Sequence, residues 1–191
     1  MEDQLTLEER ASLLKLARQA LEQGTQGMPL EPLDLDGLPP SLRQPGVTFV
    51  TLTIGGELRG CVGGLEAYQP LAEDVREHAV AAARQDYRFP PVTSQEVPLI
   101  SIEISRLTPP KPLEYLDADD LITRLRPGVD GVILRDGPHR ATFLPQVWEK
   151  IPDPERFLDY LCQKMGAAEG LWRFKKMKVY TYQVEEFHEA K

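Results

Sequence analysis

The chain has 191 residues, 41% hydrophobic, 27% charged and 7% aromatic, which excludes bulk disorder and supplies a real core without metals or disulfides. Its 22 Lys and Arg against 30 Asp and Glu give a formal charge of −8, so a coat of positive charge for generic nucleic-acid binding is excluded, though a local basic patch is not. Two cysteines, Cys61 and Cys162, without disulfide-scaffold spacing exclude a cysteine-pair zinc site and point to a reducing compartment, and no apolar run of about 18 residues exists to span a membrane.

The acidic start, Met1-Glu2-Asp3-Gln4, leads straight into an amphipathic helix and is no signal peptide, so a soluble, cytoplasmic protein is expected. Thr6-Leu7-Glu8-Glu9 has the form of a capping box. Leu7, Ala11, Leu14, Arg18 and Leu21 then recur at helical spacing, widened by Leu13, Leu16 and Ala17, and Gly24 and Gly27 end the helix. Residues 28–46 are proline-rich, and Leu30, Leu33, Leu35 and Leu38 make them an apolar wrap rather than a free linker. Val47 to Ile54 reads as a strand, Gly55-Gly56 as a two-residue turn and Glu57 to Val62 as the returning strand. Pro70 opens a helix through Gln85 with Leu71, Val75, Ala79 and Ala82 on one side. Leu99 to Leu107 alternates, with Ile100, Ile102 and Ile104 on one face and Ser101, Glu103 and Ser105 on the other.

Further on, Asp117 and Asp120 suit the start of a short helix that Pro127-Gly128 stops. Gly131 to Arg135 and His139 to Phe143 form a hairpin around Asp136-Gly137. Pro145 starts a short helix carrying Trp148. Asp153-Pro154 starts another, with Phe157, Leu158, Leu161, Cys162 and Met165 inward. Met177 to Phe187 alternates as one last strand. The pattern predicts a mixed α/β (α+β) fold with a largely antiparallel sheet and flanking helices, not a doubly wound nucleotide fold. We read one domain over 1–191, with an N-terminal helix and Pro-rich wrap in 1–46.

Chemistry concentrates in Leu58-Arg59-Gly60-Cys61-Val62-Gly63-Gly64. Its glycines permit close approach by a ligand or another chain. If the two-residue turn sets the register, Cys61 pairs with Val50 and Arg59 with Leu52, and Arg59 lies about 7 Å from Cys61 along the strand. A guanidinium at that distance favours a thiolate, the requirement for a reactive cysteine. The alternative is a small buried cysteine at a bulged hairpin, with Arg59 reaching solvent. Backbone N–H groups of the segment could instead hold an anion with Arg59 as counter-ion. Glu103 is a general base or ligand contact if it lines a cleft, and ordinary on a solvated sheet face. Asp86, Arg88 and Phe89 precede the rigid Pro90-Pro91; their simplest reading is an Asp–Arg pair closing a helix end. His78 falls on an apolar helix stripe and reads as core edge, His139 follows a turn, and His188 is near the C-terminus. No histidine pair has metal-ligand spacing and no phosphate loop or serine elbow occurs, so neither metal nor cofactor is expected.

Leu58-Arg59-Gly60-Cys61-Val62-Gly63 resembles the signature hexapeptide of the AMMECR-one domain family, with valine where isoleucine is usual. Asp86-Tyr87-Arg88-Phe89-Pro90-Pro91, Ile102-Glu103-Ile104-Ser105, Gly131-Val132-Ile133-Leu134 and Ala141-Thr142-Phe143-Leu144-Pro145-Gln146-Val147-Trp148 follow in order, with Tyr87 where proline is usual. The resemblance covers most of a signature-bearing core in 47–184. It implies a two-lobed fold with the signature near a groove between lobes, and places Arg59, Gly60, Cys61, Gly63, Arg88 and Glu103 there. Stand-alone members are called AmmeMemoRadiSam system protein A and are associated with a Memo-like protein and a radical SAM protein; no established reaction comes with the family. Three functions follow as expectations. The first is a non-redox accessory component acting with those partners, holding a small ligand or modified polymer segment. The second is a thiol-dependent enzyme with Cys61 as nucleophile and Glu103 or a histidine moving the proton. The third is a regulatory module that binds a peptide.

Overall fold

The computed structural model describes residues 4–189, so the acidic start read at Met1–Asp3 lies outside the described residues. Two units emerge: one runs to Thr108 and resumes at Glu185, the other is Pro109–Val184. In the first, helix α1 (Leu7–Thr25) begins at the expected capping box, in which Thr6 accepts from the Glu9 N–H and Glu9 accepts from the Thr6 N–H. The proline-rich stretch contains a single helical turn, α2 (Pro40–Arg43). It packs Leu30, Leu33 and Leu38 against the core, as a wrap should.

Strands β1 (Val47–Ile54) and β2 (Glu57–Gly63) follow. Their turn residues, Gly55 and Gly56, have φ of 60° and 89°, the left-handed pair that a type I′ hairpin requires. Helix α3 (Leu71–Arg84) and strand β3 (Ile100–Leu107) complete this stretch. β1 pairs antiparallel with both β2 and β3. Val50, Leu52, Ile102 and Ile104 share one core with Leu13, Leu21, Leu71, Val75 and Ala79 of the two long helices. The sheet therefore has a helix-packed face and an opposite face, as its alternation predicts.

The register differs from the expected one. Ile54 pairs with Glu57 and Thr53 with Leu58, but Leu52 then pairs with Gly60 and Thr51, not Val50, with Cys61. Arg59 is the extra residue of a β-bulge, and every β2 side chain beyond it changes face. The reason lies at Gly60. It faces α3 so closely that a Cβ there would collide with the Ala82 carbonyl. Without the bulge, Arg59 and Cys61 would meet the helix instead.

In the second unit, β4 (Lys111–Pro112), α4 (Ala118–Arg124), β5 (Gly131–Asp136) and β6 (His139–Phe143) precede a 3-10 turn over Pro145–Glu149. Helices α5 (Pro154–Lys164) and α6 (Leu171–Phe174) and strand β7 (Lys178–Tyr182) follow, and the sheet order is β4-β7-β5-β6. Trp148 stacks on Phe157 at 3.7 Å, and Phe143 meets Phe157 edge-on at 5.2 Å. The inward face expected of Phe157, Leu158, Leu161, Cys162 and Met165 is buried in this core. The β5–β6 turn is Gly137-Pro138, one residue later than expected, because Asp136 pairs with His139.

The single last strand expected over Met177 to Phe187 is two strands. β7 ends at Tyr182, and β8 (Val184–His188) joins the other sheet, whose order is β2-β1-β3-β8. Gln183 marks the change, its side chain bonded to Asp130. Among the described residues no helix is long and apolar enough to cross a membrane. Replacing Gly60 by Ala should cost at least about 2 kcal/mol, as overpacking against a fixed backbone does. Urea unfolding measures it, and an unchanged midpoint would refute the close approach.

Candidate functional site

Cys61 sits on edge strand β2, on the face away from α3, and is half-buried. Its backbone N–H points off the edge and donates to Asp86 Oδ2 at 2.9 Å. A residue whose N–H points away from its partner forms a non-hydrogen-bonded pair, whose side chains approach closely. Accordingly the Thr51 hydroxyl donates to Cys61 Sγ at 3.3 Å. Asp86, just beyond α3, is buried. Its two oxygens take the Arg88 guanidinium in a fork, Nε at 2.9 Å and Nη2 at 2.7 Å, and Oδ1 also accepts the Arg88 N–H. The Asp–Arg pair read at the helix end is thus present, with the Cys61 backbone as a third member. Arg88 holds the Asp86 carboxyl well below the usual carboxylate range against the opposing effect of burial, and the Cys61 N–H adds to it.

The pair closes a turn in which the Phe89 N–H donates to the Asp86 carbonyl. Tyr87 occupies the second position of that turn, where proline is favoured because its φ is pre-set. Its side chain, 96% exposed, makes no demand on the fold, so tyrosine fits where proline is usual.

Arg59 does not serve Cys61 as expected. Its Nε donates to Glu96 Oε1 at 2.7 Å, Nη2 to Oε2 at 3.2 Å and Nη1 to the Pro90 carbonyl at 2.9 Å. The bulge turns the side chain onto the Pro90–Glu96 loop, whose Thr93 N–H and hydroxyl also donate to Glu96. Phe89 lies between the two guanidinium groups, 6.0 Å from that of Arg59 and 5.6 Å from that of Arg88. Both cations are therefore matched by carboxylates of the chain itself.

Thr51 pairs with Glu103 on its other side, so Cys61, Thr51 and Glu103 form one row across three strands. Two strand spacings separate the Cys61 and Glu103 backbones by about 10 Å, with Thr51 on the strand between them. Glu103 is half-buried, and its carboxylate has no hydrogen bond or ion pair among the described residues. The glycines serve the chain's own packing: Gly60 admits α3, and Gly63 lies under the Phe49 ring. The structure thus brings Cys61, Arg88 and, through Thr51, Glu103 together and commits Arg59 to the loop.

Glu96 is a member that the sequence reading passed over, although Thr93 and Glu96 have the spacing of a capping box. Asp74 is another. Four residues before His78 on α3, it is fully buried and accepts from His78 Nδ1 at 3.1 Å, and that spacing places two side chains on one helix face. Among the described residues no group of three or more His, Cys, Asp or Glu side chains is arranged to hold a metal ion.

The family model for AMMECR1 matches residues 14–187. A protein of Methanothermobacter thermautotrophicus is 40% identical over 190 residues, covering 97% of this chain and 96% of that one. One of Thermofilum pendens is 38% identical over 201 residues, covering 97% and 92%. The crystal structure of uncharacterized protein PH0010 from Pyrococcus horikoshii superposes with a TM-score of 0.74 at 33% identity, over 97% of this chain and 93% of that one. With signature, fold and relatives in agreement, the chain belongs to the AMMECR1 family.

The loop clamp predicts an acid dependence. Arg59 pulls the Glu96 carboxyl from its ordinary 4.5 to about 2, with the Thr93 N–H next in effect. The folded state thus binds this proton less tightly than the unfolded chain. The stability it adds is complete above about pH 4.5 and is lost as pH falls towards 2. Glu96→Gln should lower Tm by a few degrees at pH 7, with the gap to the parent closing across that window. A gap that persists at pH 2 would mean the carboxylate charge is not what stabilises the loop.

Proposed function

We propose that the chain is a non-redox accessory protein that holds a small ligand or a modified polymer segment on the Cys61–Thr51–Glu103 row. In this reading it acts with a Memo-like protein and a radical SAM protein. One observation carries the ligand-binding part. Arg59 and Arg88 are each matched internally, by Glu96 and Asp86, whereas Glu103 is not matched. The charge left over on this face is negative, so the complementary ligand presents an ammonium or another hydrogen-bond donor, not the anion that Arg59 alone would suggest. The partners are supported by the resemblance to stand-alone members of the AmmeMemoRadiSam system.

A second reading rests on Cys61 itself. Its thiol is half-buried rather than enclosed and accepts from Thr51, so an electrophile could reach it. Cys162 gives the contrast, since burial pushes its thiol up. In native protein, iodoacetamide should therefore label Cys61 and spare Cys162 until unfolding, read by intact mass. Equal labelling of the two would remove the distinction.

The readings part on two variants. Under the accessory reading, Cys61→Ser leaves ligand capture and partner association intact. Under the thiol reading it abolishes chemistry. A thermal-shift screen of small amines against small carboxylates should yield stabilising amines, and Glu103→Gln should weaken their binding by about ten- to a hundredfold, the range of a charge-assisted hydrogen bond. Binding of carboxylates alone, unaffected by Glu103→Gln, would sink the assignment of the row. Failure to co-purify with the Memo-like and radical SAM proteins, with and without such an amine, would sink the partnership.

A further inference from the structure

On the helix-packed face of the same sheet, Asp74 and His78 lie one turn apart on α3. Asp74 Oδ2 accepts three donors: the Thr48 N–H at 2.8 Å, the Thr48 hydroxyl at 2.7 Å and His78 Nδ1 at 3.1 Å. Oδ1 is buried with no hydrogen-bond partner. Among the described residues no Lys or Arg pairs with this carboxylate, and His78 is its one ion-pair partner. Burying a carboxylate is costly unless its charge is compensated. The group placed beside it is the imidazole, whose Nδ1 hydrogen bond stabilises the charge without cancelling it.

The ring is nearly buried, and only a narrow part of its other side reaches the surface. With Nδ1 facing a carboxylate, Nδ1 carries the hydrogen and Nε2 keeps its lone pair. Nε2 has no partner among the described residues, and the side chain retains 9% of its surface. The residue above it is Gly64, where a Cβ would stand 3.5 Å from Cε1 and 3.8 Å from Nε2. Gly64 is held in place by its own N–H, which donates to the Thr48 carbonyl at 3.1 Å. Thr48 thus fixes both the carboxylate behind the imidazole and the bare backbone in front of it.

We propose that Asp74 and His78 form an acid–base site opening at Gly64 for a small neutral or cationic ligand that bears a hydroxyl or amine hydrogen. The ligand's O–H or N–H proton passes to Nε2, leaving its electron pair on the ligand atom. Asp74 compensates the imidazolium, and the proton returns from Nε2 to the ligand atom, so the step is a reversible proton transfer. An anionic ligand is disfavoured by the uncompensated Asp74 charge. Cys61 and Glu103 leave the opposite face of the sheet, so this site does not rest on the ligand row proposed above.

Two measurements test it, with His78→Gln assigning the signals. Imidazole nitrogen NMR near neutral pH should show His78 with Nδ1 protonated and Nε2 bare. Diethyl pyrocarbonate acylates a bare imidazole nitrogen by attack at carbonyl carbon with loss of ethyl carbonate. It should modify His78 within about tenfold of the rate at His139 and His188, which are exposed. Asp74→Asn keeps an oxygen for Thr48 but removes the charge; it should move the hydrogen to Nε2 and cut acylation at least tenfold. Gly64→Leu, which leaves the dyad untouched, should cut acylation as much with no change of tautomer. A hydrogen on Nε2 in the parent, or no His78 acylation while His139 and His188 react, would overturn the site. So would a rate indifferent to Gly64→Leu, which decides the matter should Asp74→Asn fail to fold.

Discussion

Helix α3 lies so close to β1 and β2 that Gly60 has no room for a side chain, and buried carboxylates stitch it down at either end. Asp74 ties its first turn to Thr48 on β1, and Asp86, just past its last turn, ties it to the Cys61 backbone on β2. The β-bulge at Arg59 is a consequence of this contact, because it delivers a glycine and not an arginine or cysteine to the helix. Everything proposed about function hangs from the same arrangement. It turns Cys61 onto one face of the sheet and sets the Asp74–His78 pair beneath the end of β2 on the other.

Much of this was legible in the residues themselves. The capping box at Thr6 and Glu9, the Gly55-Gly56 turn and the alternation of Ile100, Ile102 and Ile104 are local signals, and each element lies where they place it. The family signature likewise picked out the segment around Cys61. What escaped depends on contacts distant in sequence. Gly60 inside Leu58–Val62 allows a bulge, but whether the strand takes one is decided by the helix it packs on, here through the close approach of Ala82. The split between β7 and β8 is silent because the alternation of apolar residues continues through Gln183 while the pairing partner changes. His78 looked like core edge from its stripe, and its ring is indeed nearly buried. The distinguishing feature was the carboxylate four residues earlier, invisible to an argument about apolar spacing.

The electrostatics carry a similar lesson. A guanidinium two positions from a cysteine suggested an activated thiol, yet charges find their partners in space. Arg59 reaches Glu96, 37 residues away in sequence, and Arg88 folds back on Asp86. Once each cation is matched, the face that seemed basic from its motif carries a surplus carboxylate at Glu103. That agrees in sign with the chain as a whole, whose formal charge is −8.

The bond from Cys61 to Asp86 also bears on how the protein coexists with copies of itself. β2 is an outermost strand, and an outward N–H on such a strand is an invitation to any other extended segment. Asp86 occupies that donor, and the Arg59-clamped loop stands beside it. Because Arg88 keeps Asp86 ionised far into acid, the shield stays in place where most carboxylates have already taken up a proton. One outward donor of this edge therefore stays occupied even below about pH 4, where ordinary carboxylates are protonated.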